Sequence, residues 1–143
     1  MRLSVPGNLL LLGEYAVLEE GGLGLALAVE KRLEVELQPN PAGGAAWTLS
    51  VEGRWPGGAL SWSPDRPDSS ALLSAVVEAC RGELAARGVA LPAGGAQIRI
   101  DSSAFFTEGG QKRGLGSSAA VAVGLTWALL VWAGVAEAQL PSA

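Results

Sequence analysis

The sequence contains no histidine among its 143 residues, and this absence removes several kinds of site. A Ser-His-Asp triad, a histidine general acid and a histidine metal ligand are all excluded. The single cysteine, Cys80, lies in a helix-like stretch, which favours a core thiol and rules out a disulfide framework. Ten Lys and Arg against 14 Asp and Glu give a net charge of -4. That balance argues against a general nucleic-acid binder but leaves room for a local anion site.

Long hydrophobic runs are scarce as well. The N-terminus offers only the four leucines at 9–12, too short for a signal-peptide core, so we expect a cytoplasmic protein. Residues 114–136 carry no charge and are long enough to span a bilayer. They open with Gly-Leu-Gly-Ser-Ser, however, and lack basic and aromatic anchors on the C-terminal side. We therefore expect no membrane span, but a helix central to a globular core.

Alternating apolar residues predict several strands. Residues 9–12 fit a short buried strand, and Leu33, Val35 and Leu37 form one face of a half-buried strand. Residues 40–44 fit a turn, residues 46–63 a hairpin, and residues 96–101 a further strand.

Two helices complete the pattern. Asp68 or Ser69 is predicted to cap the first, which runs to Arg87 and stops at Gly88. Its expected buried stripe consists of Leu72, Leu73, Val76, Val77, Cys80 and Leu84. The second helix should begin near Ser117 and stop at Gly134. The sum is a single-domain α+β layout.

The turn before the second helix is the main candidate site. The first N–H groups of a helix lack partners and, with the helix dipole, bind anions. Gly114 and Gly116 would let an anion approach, Ser117 and Ser118 add hydroxyls, and Lys112 with Arg113 adds charge. A purely structural turn, with Ser117 as the cap, is the alternative. A Walker loop is absent. Residues 114–119 fit a loose dinucleotide fingerprint, but a polar loop precedes them where a strand is needed.

Two motifs carry a family resemblance. "GLGSSAA" at 114–120 resembles the phosphate-binding motif of the GHMP kinases, and "VPGNLLLLGEYAVLEEG" at 5–21 resembles their N-terminal motif. "GEYAVLE" at 13–19 and "DSSAFFTEGGQKRGLGSSAAVAVGL" at 101–125 are similar to the phosphomevalonate kinase branch.

The resemblance implies a fold and a site. The fold would be the N-terminal, ATP-binding domain of these kinases (ribosomal protein S5 domain 2-like), a mixed sheet with helices on one face. The C-terminal domain would be missing. ATP and Mg²⁺ would be the cofactors and a small phosphorylated molecule the acceptor. The residues implied to bind ATP are Lys112, Gly114, Leu115, Gly116, Ser117, Ser118 and Ala119. Ser118 would also lie at the metal, and Glu14 and Tyr15 near the acceptor.

The match departs from the family at one position and in extent. Asn8 stands where the family usually has a catalytic Lys or Arg, so a charge is lost there. The resemblance spans only about the first half of such an enzyme. The alternatives are a non-catalytic nucleotide-binding or interaction module, or a mevalonate kinase-like activity. We expect the chain alone to be inactive. Apolar surface near Leu125, Leu129 and Trp132 is expected to be exposed, promoting self-association or pairing with a missing half.

Overall fold

The computed structural model describes residues 1–40, 48–56, 58–92 and 94–135. Within these ranges the chain forms a mixed α+β fold, as predicted. The strands are β1 (Arg2–Leu12), β2 (Leu25–Asn40), β3 (Thr48–Trp55), β4 (Gly58–Trp62) and β5 (Gly95–Asp101), and the helices are α1 (Ala71–Ala86) and α2 (Ser117–Trp132). Short 3-10 turns occupy Ala16–Leu18, Pro67–Ser69 and Ser103–Phe105. Most of the turn predicted at 40–44, and the tail from 136 onward, lie outside the described residues.

The sheet has the order β1-β2-β5-β3-β4. Only the β3–β5 pair is parallel within the described part of the chain, and the other neighbours are antiparallel. Leu33, Val35 and Leu37 are buried, as their alternation predicts. Between them, Glu34 and Glu36 accept hydrogen bonds from Ser4 and Arg2 on the opposite face. One face of the sheet therefore meets the core and the other meets water.

Helix α2 packs on the sheet at β1, β2 and β5, and α1 packs beside α2. It comes close to the sheet at Gly124, where an added Cβ would lie 2.5 Å from the Val35 Cγ2 atom. Leu125, Leu129 and Trp132 are buried, so the expectation that they form an exposed apolar surface is wrong. Their burial follows from the position of α2, which contacts both the sheet and α1. No helix within the described ranges has the length and apolar character needed to cross a membrane.

Helix α1 begins one or two residues later than predicted. Ser70, not Asp68 or Ser69, is the N-cap, and its side chain accepts a hydrogen bond from the Leu73 N–H at 3.3 Å. Residues 67–69 form a 3-10 turn instead, which moves the start of the helix. The helix ends before Gly88, whose φ of 70° confirms the predicted stop.

The buried stripe of α1 is confirmed at Leu73, Val77, Cys80 and Leu84, whereas Leu72 is exposed and Val76 half-buried. The Trp62 indole Nε1–H donates to the Ser74 hydroxyl at 3.0 Å and ties α1 to β4. Burial raises the pKa of the Cys80 thiol, which donates to Thr126 Oγ1 at 3.7 Å. The prediction of a core cysteine is therefore confirmed.

The leucine run at 9–12 does not form a short buried strand. It is the end of the longer strand β1 and pairs with the start of β2, Leu9 opposite Leu27 and Leu12 opposite Leu25. Strand β5 pairs with β2 only from Glu34 onward. Residues 7–12 and 25–29 therefore form a two-stranded extension of the sheet, here called the ribbon. Its exposed leucines are Leu9, Leu10, Leu11, Leu12, Leu25 and Leu27.

Candidate phosphate-binding loop

The glycine loop enters α2 through two residues with positive φ. Gly114 has φ 73° and Gly116 has φ 67°, a region that side chains with a Cβ adopt only at a cost. Gly116 is the N-cap of α2, and no side chain caps the helix. The predicted start at Ser117 is confirmed, but the alternative in which Ser117 itself caps the helix is wrong.

The first turn of α2 leaves its amides free of helical bonds. The Ala120 N–H donates to the Gly116 carbonyl at 3.0 Å, and this is the first intrahelical bond. The N–H groups of Ser117, Ser118 and Ala119 precede it. Ser118 and Ala119 are exposed and Ser117 is half-buried. These donors, with the positive end of the helix dipole, are arranged to accept an anion.

Strand β1 packs against the loop and is hydrogen-bonded to it. The Asn8 N–H donates to the Leu115 carbonyl oxygen at 3.0 Å. A Cβ at Gly7 would lie 2.9 Å from that same oxygen and 3.1 Å from the Phe105 ring, so glycine is what allows the close approach. A Cβ at Gly116 would lie 2.9 Å from Asn8 Cγ. The two sequence motifs therefore meet in space, with the Asn8 carboxamide beside the start of α2.

Hydrogen bonds hold the segment that precedes the glycine loop, and they leave Arg113 and Lys112 in different environments. The Arg113 N–H donates to the Phe105 carbonyl and its Nε to the Phe106 carbonyl, both at 2.9 Å. Phe106 also bridges to Lys112 through the backbone and stacks on Trp55 with ring centroids 6.4 Å apart. The Arg113 side chain thus braces the segment. The exposed Lys112 side chain has no hydrogen-bond or ion-pair partner within the described residues.

The residues predicted near the acceptor lie apart from the loop. Glu14 and Tyr15 follow β1 at the far end of the ribbon, and Tyr15 is 79% exposed. Leu12 lies four positions along the strand from Asn8, a distance of about 13 Å. No contact described in the structure joins Glu14 or Tyr15 to the glycine loop. The structure therefore brings the two sequence motifs together at the glycine loop, whereas Glu14 and Tyr15 lie apart from that loop.

A cavity of about 760 Å³ lies elsewhere, on the outer face of the sheet. Charged residues such as Arg2, Glu36, Glu52 and Arg99 line it, and it includes none of the predicted site residues. Arg2 forms an ion pair with Glu36, and Arg99 forms one with Glu52, so these four charged side chains are paired with one another. The described residues hold no cluster of three or more His, Cys, Asp or Glu suited to a metal.

Sequence reasoning missed the role of Gly7 and Phe105. Phe105 is 1% exposed, its ring lies against Gly7, and its carbonyl accepts from the Arg113 N–H. A glycine inside a strand signals close approach of another backbone, so Gly7 carried a usable signal. Phe105 carried none, because its position depends on contacts with distant parts of the chain.

Comparisons with known proteins give a consistent result. No family model matches the chain. The chain is 33% identical over 144 residues to the phosphomevalonate kinase of Streptomyces sp. (strain CL190), covering 91% of this chain and 37% of that enzyme. Streptococcus pneumoniae phosphomevalonate kinase, solved in complex with phosphomevalonate and AMPPNP, aligns with TM-score 0.71 and 27% identity over 95% of this chain and 38% of that one.

A third relative extends the likeness in fold. Methanococcus jannaschii mevalonate kinase aligns with TM-score 0.64 and 19% identity, over 92% of this chain and 39% of that one. The chain thus spans somewhat more than a third of the length of these relatives. Sequence and fold together show that it belongs to the GHMP kinase family, and phosphomevalonate kinase is among its relatives.

Proposed function

We propose that this chain is the N-terminal, ATP-binding portion of a phosphomevalonate kinase acting in the cytoplasm. The observation that carries the proposal is the loop before α2, where the free N–H groups of Ser117, Ser118 and Ala119 follow two glycines with positive φ. The Streptococcus pneumoniae relative, solved with phosphomevalonate and AMPPNP, supports both ligands. The partner is a small phosphorylated acceptor, and neither a nucleic acid nor a membrane.

The loop fits a polyphosphate. An added Cβ at Gly114 meets nothing within 4 Å, so there is room beside the backbone. The amides of residues 117–119 donate to phosphate oxygens, and Leu115 is held by its bond to Asn8. The exposed Lys112 ammonium adds positive charge upstream. These groups bind and orient the phosphates, which is most of what phosphoryl transfer asks of a protein.

The fit to Mg²⁺ is partial. The first turn of α2 offers Ser118 as an exposed hydroxyl residue, and the described residues hold no carboxylate cluster suited to a metal. Mg²⁺ commonly binds through few protein ligands plus substrate phosphates. When bound, it would neutralise charge on the transferred phosphoryl group. Ser118 is the residue we assign to it, and the Ser117 hydroxyl remains available to the phosphates.

The proposed reaction joins the γ-phosphoryl group of ATP to a phosphate oxygen of 5-phosphomevalonate. The bond to the β-phosphate breaks, and ADP and 5-diphosphomevalonate leave. Glu14 and Tyr15 are proposed to contact the acceptor. Since both stand at the open end of the ribbon, the rest of the acceptor pocket must come from outside the described residues.

The test uses a fusion in which this chain replaces the matched part of the Streptomyces enzyme. We expect turnover with MgATP and phosphomevalonate, and little with mevalonate or galactose. Ser118→Ala should lower turnover about 10²-fold or more, the usual loss for an electrostatic contact in the transition state. Ser117→Ala is the matched control and should change it less. Turnover unaffected by Ser118→Ala would refute the assignment of Ser118 to Mg²⁺. A preference for mevalonate would refute phosphomevalonate as the acceptor.

A second candidate rests on Asn8, whose carboxamide carries no charge where the family usually has a cation. Loss of such a group commonly costs about 10²–10³-fold in rate. A chain of this kind could bind nucleotide without transferring phosphate, unless Lys31 or Lys112 replaces the charge. The fusion separates the two functions, because a non-catalytic module would bind MgATP with no turnover.

A further inference from the structure

Residues 105–113 form a closed loop that leads into the glycine loop and is here called the entry loop. A backbone bridge joins Phe106 to Lys112. Next to that bridge, the Arg113 N–H donates to the Phe105 carbonyl at 2.9 Å. Arg113 is therefore the last residue held by the entry loop before the chain turns towards α2.

The first end of the entry loop is fixed by packing. Phe105 is buried, and its ring lies 3.1 Å from the position that a Cβ at Gly7 would take. Phe106 stacks on Trp55 of β3. The other end is different, because residues 112–114 are all exposed. Its position depends on hydrogen bonds to the packed end.

The Arg113 side chain makes one of these hydrogen bonds. Its Nε–H donates to the Phe106 carbonyl oxygen at 2.9 Å. The donor is charged, which strengthens such a bond. A hydrogen bond of ordinary net strength changes an equilibrium constant by roughly twofold to tenfold. The order of the exposed end of the entry loop therefore depends measurably on this single contact.

The glycine loop is thus held at two points. Downstream, the Leu115 carbonyl accepts from the Asn8 N–H at 3.0 Å, and upstream Arg113 ties the chain to the entry loop. Gly114 lies between these points, and an added Cβ there would meet nothing within 4 Å. Releasing the upstream point would let the chain before Leu115 sample other conformations, because glycine restricts them little. A ligand would then have to order that segment on binding, which costs affinity.

We infer that Arg113 is a positioning residue, whose Nε contact preorganises the glycine loop for a polyphosphate and thereby sets its affinity for ATP. This inference rests on the proposed function. It gives two adjacent cations different roles, because Lys112 is exposed and has no hydrogen-bond or ion-pair partner among the described residues. Lys112 supplies charge to the phosphates, whereas Arg113 holds the loop that receives them.

The rival role for Arg113 is that of a second phosphate cation acting through its charge. The two roles are separable because they require different atoms of the side chain. Glutamine carries an N–H donor, Nε2, as many bonds from the backbone as the arginine Nε, but it has no charge. Lysine keeps the charge and has a methylene group at that position. Positioning therefore requires Arg113→Gln to bind ATP better than Arg113→Lys, and a charge role requires the reverse order.

The test measures MgATP binding to the purified chain by calorimetry. We expect Arg113→Lys to raise Kd about fivefold to tenfold and Arg113→Gln to raise it only about twofold. Lys112→Gln is the control for charge, and it should raise Kd and reduce its dependence on salt concentration. Ser70→Ala is the control for stability. It removes the N-cap of α1, outside both loops, and should lower the melting temperature without changing Kd.

Hydrogen–deuterium exchange of the ligand-free chain gives a second measurement. The amides at 107–113 should exchange about threefold faster or more in Arg113→Lys than in the wild-type chain, and Arg113→Gln should stay near wild type. Tighter MgATP binding by Arg113→Lys than by Arg113→Gln would overturn the inference, as would equal exchange in Arg113→Lys and wild type. A wild-type chain that binds no MgATP but shows the expected exchange would count against the proposed function alone.

Discussion

Replacing Gly116 by alanine tests the contact between the glycine loop and strand β1. Gly116 has φ 67°, and alanine in the left-handed region costs roughly 1–2 kcal/mol. The added Cβ would also lie 2.9 Å from Asn8 Cγ and collide with its amide oxygen. The exposed Asn8 side chain can swing away into a poorer rotamer, at a further cost of about 0.5–1.5 kcal/mol. We therefore expect Gly116→Ala to lower the free energy of unfolding by roughly 1.5–3.5 kcal/mol.

Gly114→Ala is the matched control. Gly114 has φ 73°, so the backbone cost is the same, yet its Cβ would meet nothing within 4 Å. The control should lose only about 1–2 kcal/mol. Adding Asn8→Ala to Gly116→Ala should recover about 1 kcal/mol, because the colliding carboxamide is gone. The difference between the two glycines thus isolates the Asn8 contact from the backbone strain.

The assay is urea unfolding followed by tryptophan fluorescence, since Trp62 and Trp132 are buried in the native chain. Each variant gives a midpoint and a slope, and equal slopes allow the free energies to be compared. Equal losses for the two glycine variants would refute the packing of Asn8 on Gly116. No recovery in the double variant would refute it as well.

Two further predictions concern the core. Gly124→Ala places a Cβ 2.5 Å from the stiff Val35 side chain, whereas a Cβ at Gly82 in α1 meets nothing within 4 Å. In urea unfolding, Gly82→Ala should therefore stabilise the chain by about 0.5–1 kcal/mol. Gly124→Ala should destabilise it by up to about 2 kcal/mol, because overpacking outweighs the gain in helix propensity. Cys80 is buried and burial raises its pKa, so an aromatic disulfide reagent at neutral pH should label it only after unfolding, and rapid labelling of the folded chain would contradict its placement.

Local patterns in the sequence predicted most of the elements. The alternation of Leu33, Val35 and Leu37 predicts a strand with one buried face, because a period of two is a local property of a half-buried strand. The glycines at 114 and 116 likewise predict the loop, since few other residues accept those φ values. Both features are decided within a few residues of chain, and both are confirmed.

Features that depend on distant neighbours could not be predicted. Four leucines in a row at 9–12 are typical of a buried strand, and the sequence does not show whether anything covers them. Leu125 and Leu129 were misjudged for the same reason, because their cover comes from the sheet and from α1. The contact of Asn8 with Gly116 joins residues more than a hundred positions apart, and only the fold brings them together.

The isolated chain is expected to show no phosphoryl transfer. Transfer requires donor and acceptor held in line in a site that excludes water, and such positioning supplies much of the rate. Here the Ser118 hydroxyl is exposed, and Tyr15 is 79% exposed at the far end of a strand segment about 13 Å long. The loop is proposed to bind phosphates, but none of the described residues is seen to hold an acceptor against them. ADP production by the purified chain with MgATP and phosphomevalonate should stay at background, although MgATP binding should be measurable by calorimetry. Turnover by the chain alone within the ~1–100 s⁻¹ usual for kinases would refute this reasoning, because it would show that the chain holds a complete acceptor site.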